Sequence, residues 1–171
     1  MFELQPTLRG QLVDLRPLRA GDWDLLYAIA SDPLIWEQHP SSDRYKEDVF
    51  RTFFREAIDR GGAFAVLDAR TGAIIGSTRF DHYDEQKSEI EIGWTFLARS
   101  HWGGAYNGEM KRLMLDHAFR YVDSVYFVIG PNNQRSRRAV EKIGGVYEAS
   151  RQRNGRDVVI YRIQRSRAAV R

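Results

Sequence analysis

Residues Arg99 to Phe119 read Arg-Ser-His-Trp-Gly-Gly-Ala-Tyr-Asn-Gly-Glu-Met-Lys-Arg-Leu-Met-Leu-Asp-His-Ala-Phe. A small-residue loop leaves an apolar strand and opens directly into an amphipathic helix, a geometry that makes an anion site. Gly103, Gly104 and Ala105 let the backbone come close to a ligand. The unpaired amides of the next helical turn, reinforced by the macrodipole, point at whatever binds there. A phosphate or pyrophosphate is the natural guest; an ordinary strand-to-helix turn whose glycines serve only the bend is the competing reading. Asn107 is placed to cap the helix and Glu109 to sit in its first turn, while Met110, Leu113, Met114, Ala118, Tyr121 and Val122 recur at the spacing of one buried face. Upstream, Glu89 to Leu97 alternates in its first half, and Gly93 signals a bulge or a close backbone approach.

The chain has 171 residues, is 43% hydrophobic and carries four Trp, eight Tyr and nine Phe, which suits one well-packed domain over 1–171 with a loose tail over 164–171. It contains no cysteine, which excludes disulfides, thiolate catalysis and Cys-ligated metal and fits a reducing cytoplasm. No run of apolar residues approaches a membrane span, and the start of the chain lacks a signal-peptide pattern, so a cytoplasmic protein with no membrane partner is expected. The net charge of +3 suits an anionic, nucleotide-bearing ligand without requiring nucleic acid. Arg151, Arg153, Arg156, Arg162, Arg165, Arg167 and Arg171 read as a solvated face and tail rather than an RNA-binding surface. The four histidines show no metal-ligand spacing, so no metal is expected.

Elsewhere, Gln11 to Leu18 reads as an edge strand, and Gly21-Asp22 opens a helix through Ala30. Ser31 to Asp43 is a loop, and Ser42 or Asp43 starts a second helix ended by Gly61-Gly62. Strands follow at Ala63 to Leu67 and Ile74 to Phe80, then a polar link from His82 to Lys87. After the quoted stretch come a strand at Ser124 to Ile129, a helix at Gln134 to Ile143, and a final hairpin turning at Asn154-Gly155. Only the step from Glu89 to Ser124 forms a strand-helix-strand crossover. A doubly wound dinucleotide fold needs more crossovers and a Gly-rich turn after its first strand, which counts against NAD or FAD.

Element order and motifs together resemble the GNAT superfamily of acetyl-CoA-dependent N-acyltransferases, in the branch that includes the ribosomal-protein N-terminal acetyltransferases. The resemblance spans nearly the whole chain and rests on five stretches. They are Leu12 to Leu18 with Asp22, Ile75-Gly-Ser-Thr-Arg-Phe80, Glu91-Ile-Gly-Trp94, Trp102-Gly-Gly-Ala-Tyr106, and Asn133-Gln-Arg-Ser-Arg-Arg138 with Glu141-Lys-Ile-Gly144. It implies an α/β (α+β) fold: a mixed, mostly antiparallel twisted sheet of about seven strands flanked by about four helices, with a splayed cofactor cleft between the fourth and fifth strands. It also implies that Gly103, Gly104 and Ala105, with Trp102, Tyr106 and Asn107 around them, hold the coenzyme A pyrophosphate. Trp94, Thr95, Phe96 and Leu97 would lie beside the pantetheine arm, and Asn133, Ser136 and Arg138 would contact the cofactor from the next helix. Three departures stand out. Ser100 replaces the usual Gln or Arg before the loop, Val140 replaces the Tyr proposed in many members to protonate the leaving thiolate, and Gly145 replaces an aromatic.

The implied reaction moves an acetyl group from acetyl-CoA to a primary amine, with a protein N-terminus or a small molecule as acceptor. Such an attack needs an unprotonated amine, donors for the developing oxyanion and a proton for the thiolate. Glu91 is the candidate base, with Glu89 on the same face unless a bulge intervenes. Ser136 or a water is the candidate acid, Ser136 being equally suited to cap its helix. Arg135, Arg138 and Lys142 fall on one helix side, facing either a ribose phosphate or solvent. His101 is placed to touch cofactor or substrate; His117 reads as structural. The missing Tyr leaves open a catalytically silent acyl-CoA-binding or sensing module, and a homodimer is equally open.

Overall fold

The computed structural model describes residues 1–166. Its sheet has eight strands in the order β1-β2-β3-β4-β5-β6-β8-β7: β1 (Leu8–Arg9), β2 (Val13–Pro17), β3 (Ala63–Asp68), β4 (Ile74–Asp84), β5 (Glu89–Leu97), β6 (Ser124–Ile129), β7 (Val146–Arg153) and β8 (Arg156–Gln164). Four α-helices flank it: α1 (Trp23–Ala30), α2 (Glu47–Arg60), α3 (Ala105–Ala118) and α4 (Gln134–Lys142). All pairings are antiparallel except β5 with β6, the pair that α3 connects. The mixed α/β architecture agrees with expectation. The extra strand, β1, is two residues long and carries no period for a sequence reading to catch.

Central strand β3 shows why the layers form. Phe64 and Val66 point into one core with Val13, Leu15, Met110 and Met114; Ala63 and Ala65 point into the other with Leu26, Phe50, Phe53 and Phe96. A strand buried on both faces needs helices on both, so α3 packs on one side and α1 and α2 on the other. On the α3 side, Glu109 ties the helix to the chain ahead of β2: its carboxylate accepts the N–H groups of Gln11 at 3.0 Å, Leu12 at 2.6 Å and Val13 at 2.8 Å. His117 is structural, its Nε2 lying 2.7 Å from the Glu3 carbonyl among Phe2, Phe80 and Tyr121.

Three boundaries differ from expectation, each for a local reason. Helix α2 begins at Glu47 rather than Ser42 or Asp43, because tight turns from Ser41 to Arg44 and Asp43 to Lys46 consume the intervening residues. Helix α3 begins at Ala105 with Gly104 in the capping position at φ 101°, so Asn107 lies inside the first turn and is not the cap. Strand β4 continues to Asp84 through a bulge at His82–Tyr83, so the expected polar link is mostly strand. At the C-terminal end Gln164 belongs to β8 and Arg165 pairs with Asp123; the rest of the expected tail, 167–171, lies outside the described residues. No described helix is long and apolar enough to cross a membrane.

Candidate active site

Strands β5 and β6 pair only where Glu89, Ile90 and Glu91 face Ser124, Val125 and Tyr126; beyond that they separate. The divergence starts at a bulge in β5, where Trp94 and Thr95 together oppose Thr78 of β4. Trp94 sits at φ 53°, a left-handed conformation that an aromatic residue adopts only when its surroundings impose it. Here the Arg79 guanidinium lies 3.7 Å over its ring and the His82 ring stacks 6.0 Å away. Gly93, expected to mark the bulge, stands one residue before it. Among the described residues the divergence leaves the β6-facing backbone edge of 92–97 without a partner strand, and it opens a cavity of about 800 Å³.

The loop after β5 forms one wall of that cavity. Gly103 and Gly104 adopt φ 117° and 101°, and none of the amides of residues 103–107 finds a backbone acceptor among the described residues. Five free N–H groups at a helix start form a cradle for an oxyanion. Cations stand nearby. The Lys142 ammonium would lie 3.9 Å from a Cβ at Gly104, and the Arg135 guanidinium lies 3.8 Å over the Trp102 ring. His101 lines the cavity too, but its Nε2 lies 3.1 Å from Asp68 and its Nδ1 2.8 Å from the Ser100 hydroxyl, so its first duty is to brace the loop.

Glu91 also lines the cavity, on the last residue of β5 that still pairs with β6. Arg153 from β7 donates to both its carboxylate oxygens, and His82 Nδ1 lies 3.4 Å from its Oε2. Its side chain is 2% exposed and that of His82 is 42% exposed, so the imidazole connects a buried carboxylate to water. Glu89, the alternative base, is committed to Arg162 at 2.8 Å and does not line the cavity. The arginines read as a solvated face are therefore partly otherwise engaged: Arg153 and Arg162 hold the two glutamates, and Arg156 lines the cavity.

Lys111 is the residue that sequence reasoning missed. It follows Asn107 by four positions, which puts both on the α3 face that continues from the loop. Its ammonium donates to Thr95 Oγ1 at 2.5 Å inside the cavity, and Thr95 in turn lies 2.9 Å from Thr78 Oγ1. Among the described residues no carboxylate pairs with it, and burial alone pushes its pKa down to about 7. The signal was present in the sequence as a lysine at the spacing of Met114, Leu115 and Ala118, on the buried helix face.

Of the cofactor-binding residues expected, Trp94, Thr95, Phe96 and Leu97 form the β5 wall, Trp102, Gly103, Gly104 and Asn107 the loop wall, and Asn133 and Ser136 the α4 wall. Ala105 and Tyr106 lie behind the loop, Tyr106 packed edge-on against His101. Arg138 is exposed and outside the lining, whereas Arg135 lies within it. Asn133 caps α4 by accepting the Ser136 N–H at 3.3 Å, which leaves Ser136 in the first turn rather than at the cap. The two departures at 140 and 145 are one: a Cβ on residue 145 would collide with Val140 Cγ1, so the branched Val140 fills the space that Gly145 leaves. Among the described residues no group of three or more His, Asp or Glu side chains is arranged to hold a metal ion.

The sequence pattern of the acetyltransferase (GNAT) domain matches residues 13–146, which includes the splayed strands, the loop and α4. The chain belongs to this family. An uncharacterized N-acetyltransferase p20 from Bacillus licheniformis is 25% identical over 118 residues, spanning 66% of this chain and 66% of that protein, just under two thirds of its length. A GCN5-related N-acetyltransferase from Brucella melitensis superposes with a TM-score of 0.81 at 22% identity, covering 94% of this chain and 79% of that one. Mycobacterium smegmatis RimJ, solved in complex with CoA-disulfide, gives 0.71 at 20% identity, covering 93% and 86%. These structural likenesses show the GNAT fold, which here carries its cleft between β5 and β6 because β1 adds a strand ahead of the expected count.

Proposed function

We propose that this chain transfers an acetyl group from acetyl-CoA to a primary amine by direct attack in a ternary complex. The carrying observation is that one cavity brings together Gly103, Gly104 and Asn107 of the loop whose amides are unshared, the Glu91 carboxylate and the Lys111 amine. The GNAT family and the coenzyme-bound relative support the donor; resemblance to the ribosomal-protein N-terminal acetyltransferases supports a protein or peptide α-amine as acceptor.

The residues present fit the donor. The amides of residues 103–107, with Lys142 and Arg135 beside them, would hold its diphosphate, and the unpaired edge of β5 at 92–97 would receive the amides of its pantetheine arm. Acetyl-CoA supplies a thioester whose carbonyl carbon an amine can attack. Glu91, fixed by Arg153, takes a proton from the acceptor ammonium, and His82 passes it outward. The unpaired edge of β5 at 92–97 would also supply backbone N–H groups for the developing oxyanion. As the new C–N bond forms, the nitrogen's second proton would pass to Glu91, already cleared through His82, and as the C–S bond breaks Lys111 would give a proton to the sulfur and regain it from solvent. With a pKa of about 7, its ammonium is a stronger acid than an ordinary thiol near 8.5, so the transfer runs downhill.

A thiol-release assay with acetyl-CoA over a panel of amines, N-terminal peptides included, tests the reading. Amine-dependent release supports it. Coenzyme binding with no release for any amine would assign the silent acyl-CoA-binding module instead.

A further inference from the structure

The segment between α1 and α2 straps across the mouth of the cleft and meets the far wall at three points. Gln38 Oε1 accepts the Arg135 N–H at 3.2 Å, Pro40 presses on Gly130, and Ser41 Oγ accepts from Arg156 at 2.9 Å. Behind the strap, lining the same cavity, are His39 and Arg44.

The hydrogen-bond logic at this pair is unfinished. His39 Nδ1 accepts the Ser41 N–H at 2.9 Å, so that nitrogen carries a lone pair. The ring is neutral, burial pushing its pKa down to about 3 with help from Arg44 and Arg156. A neutral imidazole that accepts at Nδ1 carries its hydrogen on Nε2. That N–H faces Arg44 Nη1 at 3.5 Å, and a guanidinium has only donors to offer. Two donors therefore converge with no acceptor between them. Arg44 also packs against two ring faces, Phe53 at 4.7 Å and Trp36 at 5.3 Å, and no described carboxylate lies within ion-pair distance. Burial lowers its pKa to about 10, Glu56 and Asp43 acting only at longer range. A half-buried guanidinium that lines the cavity with no described anion beside it is placed to receive one from a ligand.

We propose that His39, Arg44 and Arg156 form a subsite for an anionic group, a carboxylate or phosphate, carried by the amine acceptor. The inference rests on the acetyl-transfer reading for the word acceptor alone. Position argues for the acceptor over the coenzyme. Arg44 also borders a side cavity of about 350 Å³ against α2, lined by Asp48, Val49, Thr52, Phe53, Glu56 and Trp94 and by none of the residues of the 102–107 loop. Through Glu56, Arg79 and Trp94 it adjoins the Glu91–His82 pair.

The test is calorimetric titration of coenzyme-saturated protein with amines that differ by one carboxylate: free amino acids against their amides, and C-terminally amidated peptides with Asp or Glu near the N-terminus against the Asn or Gln versions. At least one acidic member should bind about tenfold more tightly than its amide, and Arg44→Gln and Arg156→Ser should each reduce that preference to about threefold or less while coenzyme affinity stays unchanged. Two variants on different elements keep the result readable if one misfolds. No charge preference in any pair overturns the subsite, and so does a loss that falls on coenzyme A instead, which would assign the anion to the coenzyme's phosphate. Thiol release by any amine, measured separately, reports on acetyl transfer itself, so either reading can fail while the other stands.

Discussion

Lys111 of α3 donates to the hydroxyl of Thr95 on β5 across the inner wall of the cleft, and among the described residues no carboxylate accompanies it. This places a lysine where a core would otherwise take methionine, and its consequences are measurable. Its folded pKa of about 7 lies below the ordinary 10.5, so folding favours the neutral amine. The penalty is absent above about pH 10.5, grows as pH falls, and is complete below about pH 7. Lys111→Met should stabilise the protein by roughly 3 kcal/mol at pH 6 and by almost nothing near pH 10.5, as read from denaturant midpoints. The same variant should lose about tenfold to a hundredfold in kcat and the falling alkaline limb of the pH profile.

Glu91→Gln keeps the shape of the side chain and a hydrogen bond to Arg153 but cannot take a proton. Its kcat should fall by about a hundredfold or more, with coenzyme affinity unchanged by calorimetry. Unaltered turnover would remove Glu91 from the mechanism.

Glu109 gives an acid-sensitivity prediction. Burial pushes its carboxyl up, but the N–H groups of Val13, Leu12 and Gln11 outweigh that and hold it below its ordinary value. A depressed carboxyl adds stability above its unfolded pKa and loses it as pH falls through the folded value. Glu109→Gln should therefore destabilise the fold by about 2 kcal/mol at pH 7 and leave variant and parent nearly equal at strongly acid pH.

The fold was legible because its signals are local and redundant: the hydrophobic period of α3, the Gly103-Gly104 pair and the Asn154-Gly155 turn each point one way. The loop was legible for the same reason, since glycines before a helix leave amides free whatever surrounds them. What escaped depends on long-range placement. His82 reads as loop until a bulge carries β4 past it, and Lys111 acquires its role only where α3 brings it to Thr95 of β5. The arginines near the C-terminal end look like a solvated patch until β7 and β8 deliver Arg153 to Glu91 and Arg162 to Glu89.

The coenzyme reading itself turns on Gly104. At φ 101° an alanine there strains the backbone by about 1 to 3 kcal/mol, and relief of that strain would turn the first-turn amides away. The direct measurement is calorimetric titration of coenzyme A into the wild-type chain and into Gly104→Ala, both shown folded by circular dichroism. The account predicts one coenzyme bound per wild-type chain and an affinity weakened by about tenfold or more in the variant. Folded wild-type protein that takes up no coenzyme A, or a variant that binds it as well as the parent, would contradict it.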